Sequence, residues 1–259
     1  MSRRVRIFLF LPLAAAFLIL LLAAMEGIPA IGHYRGPYGD VLNAITVKER
    51  HTTGVVSAVN FDYRGFDTLG EESILFVSVI GATLLLRQRP DEIKDTNESE
   101  QDEGARKVPE PSDAVRLLSL ALAAPAVLFG IYVVTHGQLT PGGGFQGGVV
   151  LATVPLLVYV AGDLEIFKKV APAMLGELAE SAGVGGYILI GVAGLIWGKS
   201  FLENVVPLGP ADPKVYSGGT IPLISLATGM AVAGGFVLLL ISFLEETLEL
   251  RLKTKRRGK

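Results

Sequence analysis

The 259-residue chain contains no cysteine. That excludes a disulfide framework, a thiol nucleophile and any metal site built on thiolates. Charge is scarce as well: Asp, Glu, Lys and Arg are 19% of the residues, below the roughly 25% of soluble domains. No nucleophile–base pair and no cluster of metal-ligating side chains stands out, so the pattern predicts neither an enzyme nor a cofactor site. Nothing in it points to a nucleic-acid partner, and no internal repeat is present.

Apolar sequence is abundant instead. Half of the residues are hydrophobic, and they are gathered into blocks. The segments Ile7–Ala24, Ser73–Leu86, Leu117–Val134, Phe145–Ala161, Val184–Trp197 and Ile221–Phe243 carry almost no charge. Most approach the ~17–25 residues that cross a bilayer core. The second block reaches that length only by including Thr68–Glu72, which sets carboxylates at its mouth. The expected fold class is therefore all-α: a polytopic, multi-pass cell-membrane protein with six transmembrane helices in a 2 + 4 arrangement. No block places a lysine or an acid near its middle, so the chain by itself lacks the charged relay of an ion pump.

Basic residues orient the blocks. With the N-terminus inside, seventeen Lys and Arg fall on the cytoplasmic side and six on the other. That asymmetry satisfies the positive-inside rule and makes both termini cytoplasmic. A cleaved signal peptide is the alternative for the first block, although its apolar run exceeds the ~7–15 residues usual for one. Residues 90–112 are acidic and polar without apolar period, and read as a disordered cytoplasmic linker. They divide a two-span domain, 1–89, from a four-span domain, 113–259. Residues 163–180 mix apolar positions with Asp163, Glu165, Lys168, Lys169 and Glu177, a pattern expected of a short helix on the inner surface.

The most unusual stretch is His136-Gly137-Gln138-Leu139-Thr140-Pro141-Gly142-Gly143-Gly144-Phe145-Gln146-Gly147-Gly148. Glycine and proline at this density make a poor helix and a poor strand. Irregular backbone survives in a membrane only where protein or water covers it. Gly142-x-Gly144-x-x-Gly147 matches a dinucleotide fingerprint on paper, but a long apolar span stands where the strand should be. Two readings remain open. In one, glycines four apart let neighbouring helices approach. In the other, Thr140 caps and Pro141 opens the fourth span, and the exposed N–H groups of Gly142, Gly143 and Gly144 line a polar cavity. His136 and Gln138 would then meet water or protons, while Phe145 fills a packing site.

A second constellation covers Phe61 to Glu72. Thr68-Leu69-Gly70-Glu71 fits a capping box, Asp67 and Glu71 share one helical face, and Arg64 can reach Asp67. Asp67, Glu71 and Glu72 could instead attract a cation such as Na+ at the mouth of a span.

The signature at 136–148, followed by an apolar span, resembles the B-type subunit of the multisubunit Na+/H+ antiporters of the Mrp type. The likeness covers about 113 to 245, and the same domain occurs in membrane-bound hydrogenases. Phe-Asp-x-Arg-Gly-Phe-Asp-Thr-Leu-Gly-Glu at 61–71 is similar to the C-terminal end of the large A-type subunit of those antiporters. The resemblance implies a non-catalytic subunit of a monovalent cation/proton antiporter, related to the membrane arm of respiratory complex I. Other membrane subunits, Na+ and protons would be its partners. The alternative host is an energy-converting hydrogenase or related redox-driven pump. Carried over by position, Pro141, Gly142, Gly143, Gly144 and Phe145 match the B-type signature, and Asp67 and Glu71 match the acidic end of the A-type piece.

Overall fold

The computed structural model describes residues 3–26, 36–86, 111–162 and 164–257. The described residues are helical without a strand. The chain divides into two compact units, Met1–Val41 and Leu42–Lys259. The first holds α1 (Arg3–Glu26), in which Phe8, Phe10, Leu11, Leu13 and Phe17 to Leu22 are exposed, as expected of a helix apolar all round. The linker expected at 90–112 lies outside the described residues except for its last two positions.

The second unit begins within α2 (Pro37–Arg50). It continues through a short α3 (Val55–Ala58), a π-helical turn at Val59–Tyr63 and α4 (Gly65–Leu86). After the linker come α5 (Asp113–Thr135), α6 (Gly144–Val160), α7 (Leu164–Val170), α8 (Ala173–Trp197) and α9 (Ile221–Arg257). Among the described residues, four helices are long and apolar enough to cross a membrane: α4, α5, α8 and the Ile221–Leu244 part of α9. The first and fourth apolar blocks give the shorter apolar helices Phe10–Ala23 and Gly144–Val160. At 17 residues, α6 is about 25 Å long, slightly short of a ~30 Å bilayer core.

α9 is the central helix of this unit, packed against α8, α6 and α4. Small residues let it be central. A Cβ added to Gly144 of α6 would lie 2.1 Å from the Ser225 carbonyl oxygen. The buried positions of α8 recur at helical spacing, Gly176, Glu180, Gly183, Tyr187, Gly191 and Gly194, and turn one face towards its neighbours. Two apolar clusters hold the ends. Ala58, Phe61, Tyr187, Leu202, Ile221, Ile224 and Ala227 form one, and Val158, Phe167 and Ala171 form the other.

Three local expectations are corrected. Residues 163–180 are not one surface helix: α7 ends at Val170, and α8 starts at Ala173 behind Pro172. The long helix therefore includes Glu177 and Glu180. Thr68 does not cap α4, which starts a turn earlier at Gly65 after the π-helical turn. The Thr68 hydroxyl donates to the Asn60 carbonyl at 2.7 Å. Nor do Thr140 and Pro141 open α6, which starts at Gly144 with Gly143 as its cap. The reason is backbone geometry. Gly142 and Gly143 adopt φ of +141° and +150°, which L side chains rarely adopt, and hold the chain out of a helix until Gly144.

Candidate functional site

The glycine run forms a fixed crossing, anchored from the sequence piece before α4. After α5, turn hydrogen bonds from His136 N to Tyr132 O, and from Leu139 N and Thr140 N to His136 O, fold the chain back. Carbonyls that this irregular path leaves unpaired are met by the segment 52–57. The Gly54 amide donates to Gln138 O at 2.8 Å, and Thr52 donates to the same carbonyl. Thr53 donates to Leu139 O at 2.6 Å and Ser57 to Gly137 O at 2.6 Å. Gln138 is fully buried, and its amide nitrogen donates to Thr135 O at 3.0 Å and to Val215 O. The side-chain donors are all short hydroxyls or amides, which satisfy buried carbonyls without bringing charge.

A second polar network ties the 198–220 loop to the same layer. Asp62 accepts from Arg50 Nε at 2.6 Å and from Asn204 Nδ2 at 2.7 Å. The side-chain Oδ1 of Asn204 in turn accepts from the Thr220 amide at 2.9 Å, just before α9. Arg50 also lies 4.8 Å from the Tyr63 ring centroid. Burial opposes the Arg50 charge, but the hydrogen bond and charge of Asp62 outweigh it, and the guanidinium pKa is raised overall. The Tyr63 hydroxyl donates to Glu49 at 3.0 Å; burial first, and that bond second, raise its pKa.

Below this layer lie two acids. Glu72 of α4 is 1% exposed and Glu180 of α8 is 4% exposed. Neither Glu72 oxygen has a hydrogen-bond partner, nor does Glu180 Oε1. The two carboxyl groups lie within Coulombic reach of each other. Glu180 Oε1 and Val79 Cγ2 of α4 both approach Gly235 of α9, 2.9 Å and 3.1 Å from where a Cβ would be. Tyr187 is completely buried above them and donates to the Gly65 carbonyl at 2.8 Å. A buried carboxylate without a partner costs several kcal/mol, on the order of the desolvation penalty per ion, so such groups inside a membrane helix mark function by default.

The two acids revise the reading that no span carries an acid near its middle. It set Glu72 at the mouth of the second span and began the fifth at Val184. The helices begin at Gly65 and Ala173, so each acid is the eighth residue of its helix. Glu72 was among the sequence candidates; Glu180, Tyr187, Asp62, Arg50 and Asn204 were not. The signal for Glu180 was its place among glycines at helical spacing.

The remaining candidates are spread around the same end of the bundle. Asp67 and Glu71 are exposed on one face of α4, and Arg64 pairs with Asp67. Both partners are about half exposed, so the pair adds little stability. His136 stacks on Tyr132 with ring centroids 4.3 Å apart, and its Nδ1 lies 3.0 Å from Thr135 Oγ1. Thr140 donates back to His136 O at 3.2 Å. Pro141 is exposed, and Phe145, 36% exposed, faces outward from the bundle.

Four described helices long and apolar enough to cross a bilayer make this a multi-pass membrane protein. A family model, described as a domain related to the MnhB subunit of Na+/H+ antiporter, matches residues 114–238. An uncharacterized protein of Methanocaldococcus jannaschii is 32% identical over 195 residues, 70% of this chain and 72% of that protein. The B-type Na+/H+ antiporter subunit of Bacillus subtilis is 32% identical over 91 residues, 35% of this chain and 60% of that protein. One chain of the membrane-bound sulfane sulfur reductase, an archaeal respiratory membrane complex, superposes with a TM-score of 0.67 at 29% identity, covering 94% of this chain and 99% of that one. The chain belongs to the family of membrane proteins related to the MnhB antiporter subunit. It spans less than two-thirds of the length of the Bacillus subtilis protein.

Proposed function

We propose that this protein is a non-catalytic integral membrane subunit of a multisubunit monovalent cation/proton antiporter-type complex. It has six spans and both termini in the cytoplasm. Residues 1–89 correspond to the C-terminal end of the large A-type antiporter subunit, 90–112 to a tether, and 113–259 to the B-type subunit. Its partners are the other membrane subunits, and the cargo of the complex is Na+ and protons. The positive-inside count supports the orientation, and the Bacillus subtilis relative supports the transport role.

The observation that carries the reading is Glu72: a carboxylate buried between membrane-spanning helices, with both oxygens unpaired. It stands where the A-type piece meets α8 and α9. The glycine run, locked over it by residues 52–57, keeps irregular backbone covered and fixes the outer wall of the path. His136, Gln138, Thr140, Pro141, Gly142, Gly143, Gly144 and Phe145 belong to that wall. Arg64, Asp67 and Glu71 sit at the mouth, where they draw cations towards it.

Everted vesicles carrying the whole complex test this. Glu72→Gln lowers Na+-linked proton antiport to the background of a complex without this chain, while the other subunits still co-purify. Glu71→Gln and Pro141→Gly reduce antiport in the same assembled complex. Full antiport in all three variants refutes the mechanism. The full-length match to a respiratory complex favours a second host, a redox-driven membrane assembly. Metal-cluster or nickel-site subunits co-purifying with the chain would identify that host.

A further inference from the structure

We propose that Glu72 and Glu180 are successive stations of a proton path that runs through this chain itself, between α4, α8 and α9. The inference rests on the reading above only for its role in transport; the site itself rests on the packing. The bond from Tyr187 to the Gly65 carbonyl sets α4 and α8 level with each other. From that level the helices run antiparallel, since Val79, further along α4, and Glu180, earlier in α8, converge on Gly235. Glu72 and Glu180 are each seven residues on, about 10 Å deeper at 1.5 Å per residue. Helical side chains lean towards their own N-terminus. The Glu72 carboxyl therefore leans towards the Tyr187 end, and the Glu180 carboxyl leans deeper. They are placed in series along the bundle axis.

The surroundings select a proton over a bare metal cation. A dehydrated cation needs a shell of several oxygens. Here the neighbouring hydroxyls are already engaged, Thr68 with Asn60 O and Tyr187 with Gly65 O. Val79 and Gly235 offer no oxygen ligand from their side chains. Three fully buried carboxyl oxygens remain without a partner, fewer than the shell such a cation takes. The other ionisable groups near the pair are Glu71 and Glu177, both exposed, and the Tyr187 hydroxyl. The span of α9 from Ile221 to Leu244 contains no ionisable residue. Without a buried cation nearby, charge on one carboxylate disfavours charge on the other. In the transfer, the O–H bond of the Glu72 carboxylic acid breaks and one forms on the Glu180 carboxylate. One negative charge moves from Glu180 to Glu72; because neither Glu72 oxygen is hydrogen-bonded to Glu180, a water molecule accepts the proton from one carboxyl and gives one to the other.

Gly235 is what makes room for the second station. A Cβ there would lie 2.9 Å from Glu180 Oε1 and 3.1 Å from Val79 Cγ2, so the carboxyl occupies space that a side chain on α9 would otherwise take. The device joins the two sequence pieces. One station comes from the piece before the linker and the other from the piece after it.

Infrared difference spectroscopy of the full-length chain in lipid nanodiscs tests the site. The expected result is a protonated-carboxyl band that downshifts in D2O, with part of it lost in Glu72→Gln and the rest in Glu180→Gln. Glu177→Gln, on the exposed face of the same helix, leaves the band unchanged. A band insensitive to both Gln variants, or one that never exchanges into D2O, overturns the proposal. Gln keeps the shape of Glu, and Glu180→Asp, which keeps the acid, should retain an exchanging band if the fold is intact. Loss of the band in the Gln variants with antiport unimpaired in the assembled complex upholds the proton site and sinks the transport reading. Failure to co-purify with partner subunits sinks that reading alone.

Discussion

Gly144→Ala is the sharpest test of the packing that builds this bundle. The added Cβ would lie 2.1 Å from the Ser225 carbonyl oxygen, 2.7 Å from Thr228 Cβ and 2.8 Å from the Gly229 amide nitrogen. Ordinary contact begins near 3.4 Å, so α6 and α9 must separate by about 1.3 Å. Two of the three obstacles are backbone, which no rotamer change can move aside. Overpacking of this kind costs about 1–3 kcal/mol. The shift also strains the bond from Ser225 Oγ to Val134 O, now 2.8 Å, worth about 1 kcal/mol. A total of about 2–4 kcal/mol lowers the folded-to-unfolded ratio by roughly 30- to 700-fold. The assay is equilibrium unfolding of the purified chain in mixed micelles, followed by circular dichroism. Gly185→Ala is the control, since a Cβ there meets nothing within 4 Å. Alanine favours a helix over glycine by about 1 kcal/mol, so that variant should hold or gain stability. If Gly144→Ala unfolds at the same point as Gly185→Ala, the close approach of α6 and α9 is wrong.

Other outcomes follow from single contacts. Ser57→Ala leaves the Gly137 carbonyl without its 2.6 Å donor and should cost about 1–3 kcal/mol, read as earlier unfolding; no change would free the glycine run from this anchor. Tyr187→Phe removes the hydroxyl that bonds Gly65 and should cost about 0.5–1.5 kcal/mol, with the helical content kept. Glu203 titrates below the ordinary carboxylate range, held there first by the Lys199 amide at 2.5 Å and then by the Ser200 amide and hydroxyl. With a folded pKa lowered in this way, its stabilisation is present above the unfolded value of 4.5 and lost as pH falls through the folded one. Protection of the amides at residues 198–204, taken as the intrinsic over the observed exchange rate at each pH, should therefore fall in acid, and Glu203→Gln should abolish that dependence; an unchanged profile in the variant refutes it.

The anchors of the glycine run show where sequence reasoning stopped. Its glycines and proline announced irregular backbone, but not which carbonyls would be left over or that Thr52, Thr53 and Ser57 would meet them across about 80 positions. Thr68 and Thr140 were misplaced for a related reason. Capping patterns locate a helix start only when the preceding backbone is ordinary, and a π-helical turn precedes one helix while two positive-φ glycines precede the other. Glu180 escaped because hydropathy trims a span at its first charge, while α8 keeps going as long as one face can be buried.

Composition alone determined that this chain is helical and lives in a membrane, because in lipid every backbone group must be satisfied within its own helix, and that demand writes long apolar blocks into the sequence. It also determined family membership, through a signature whose glycines serve backbone approach. Only the tertiary structure decided which acids are buried. Burial of Glu72 and Glu180 depends on how α4 and α8 turn against α9, a choice made by contacts between helices far apart in the chain. Asp67 and Glu71 stand on the same helix as Glu72 and stay exposed, because successive residues lie about 100° apart and only one face of α4 meets the bundle.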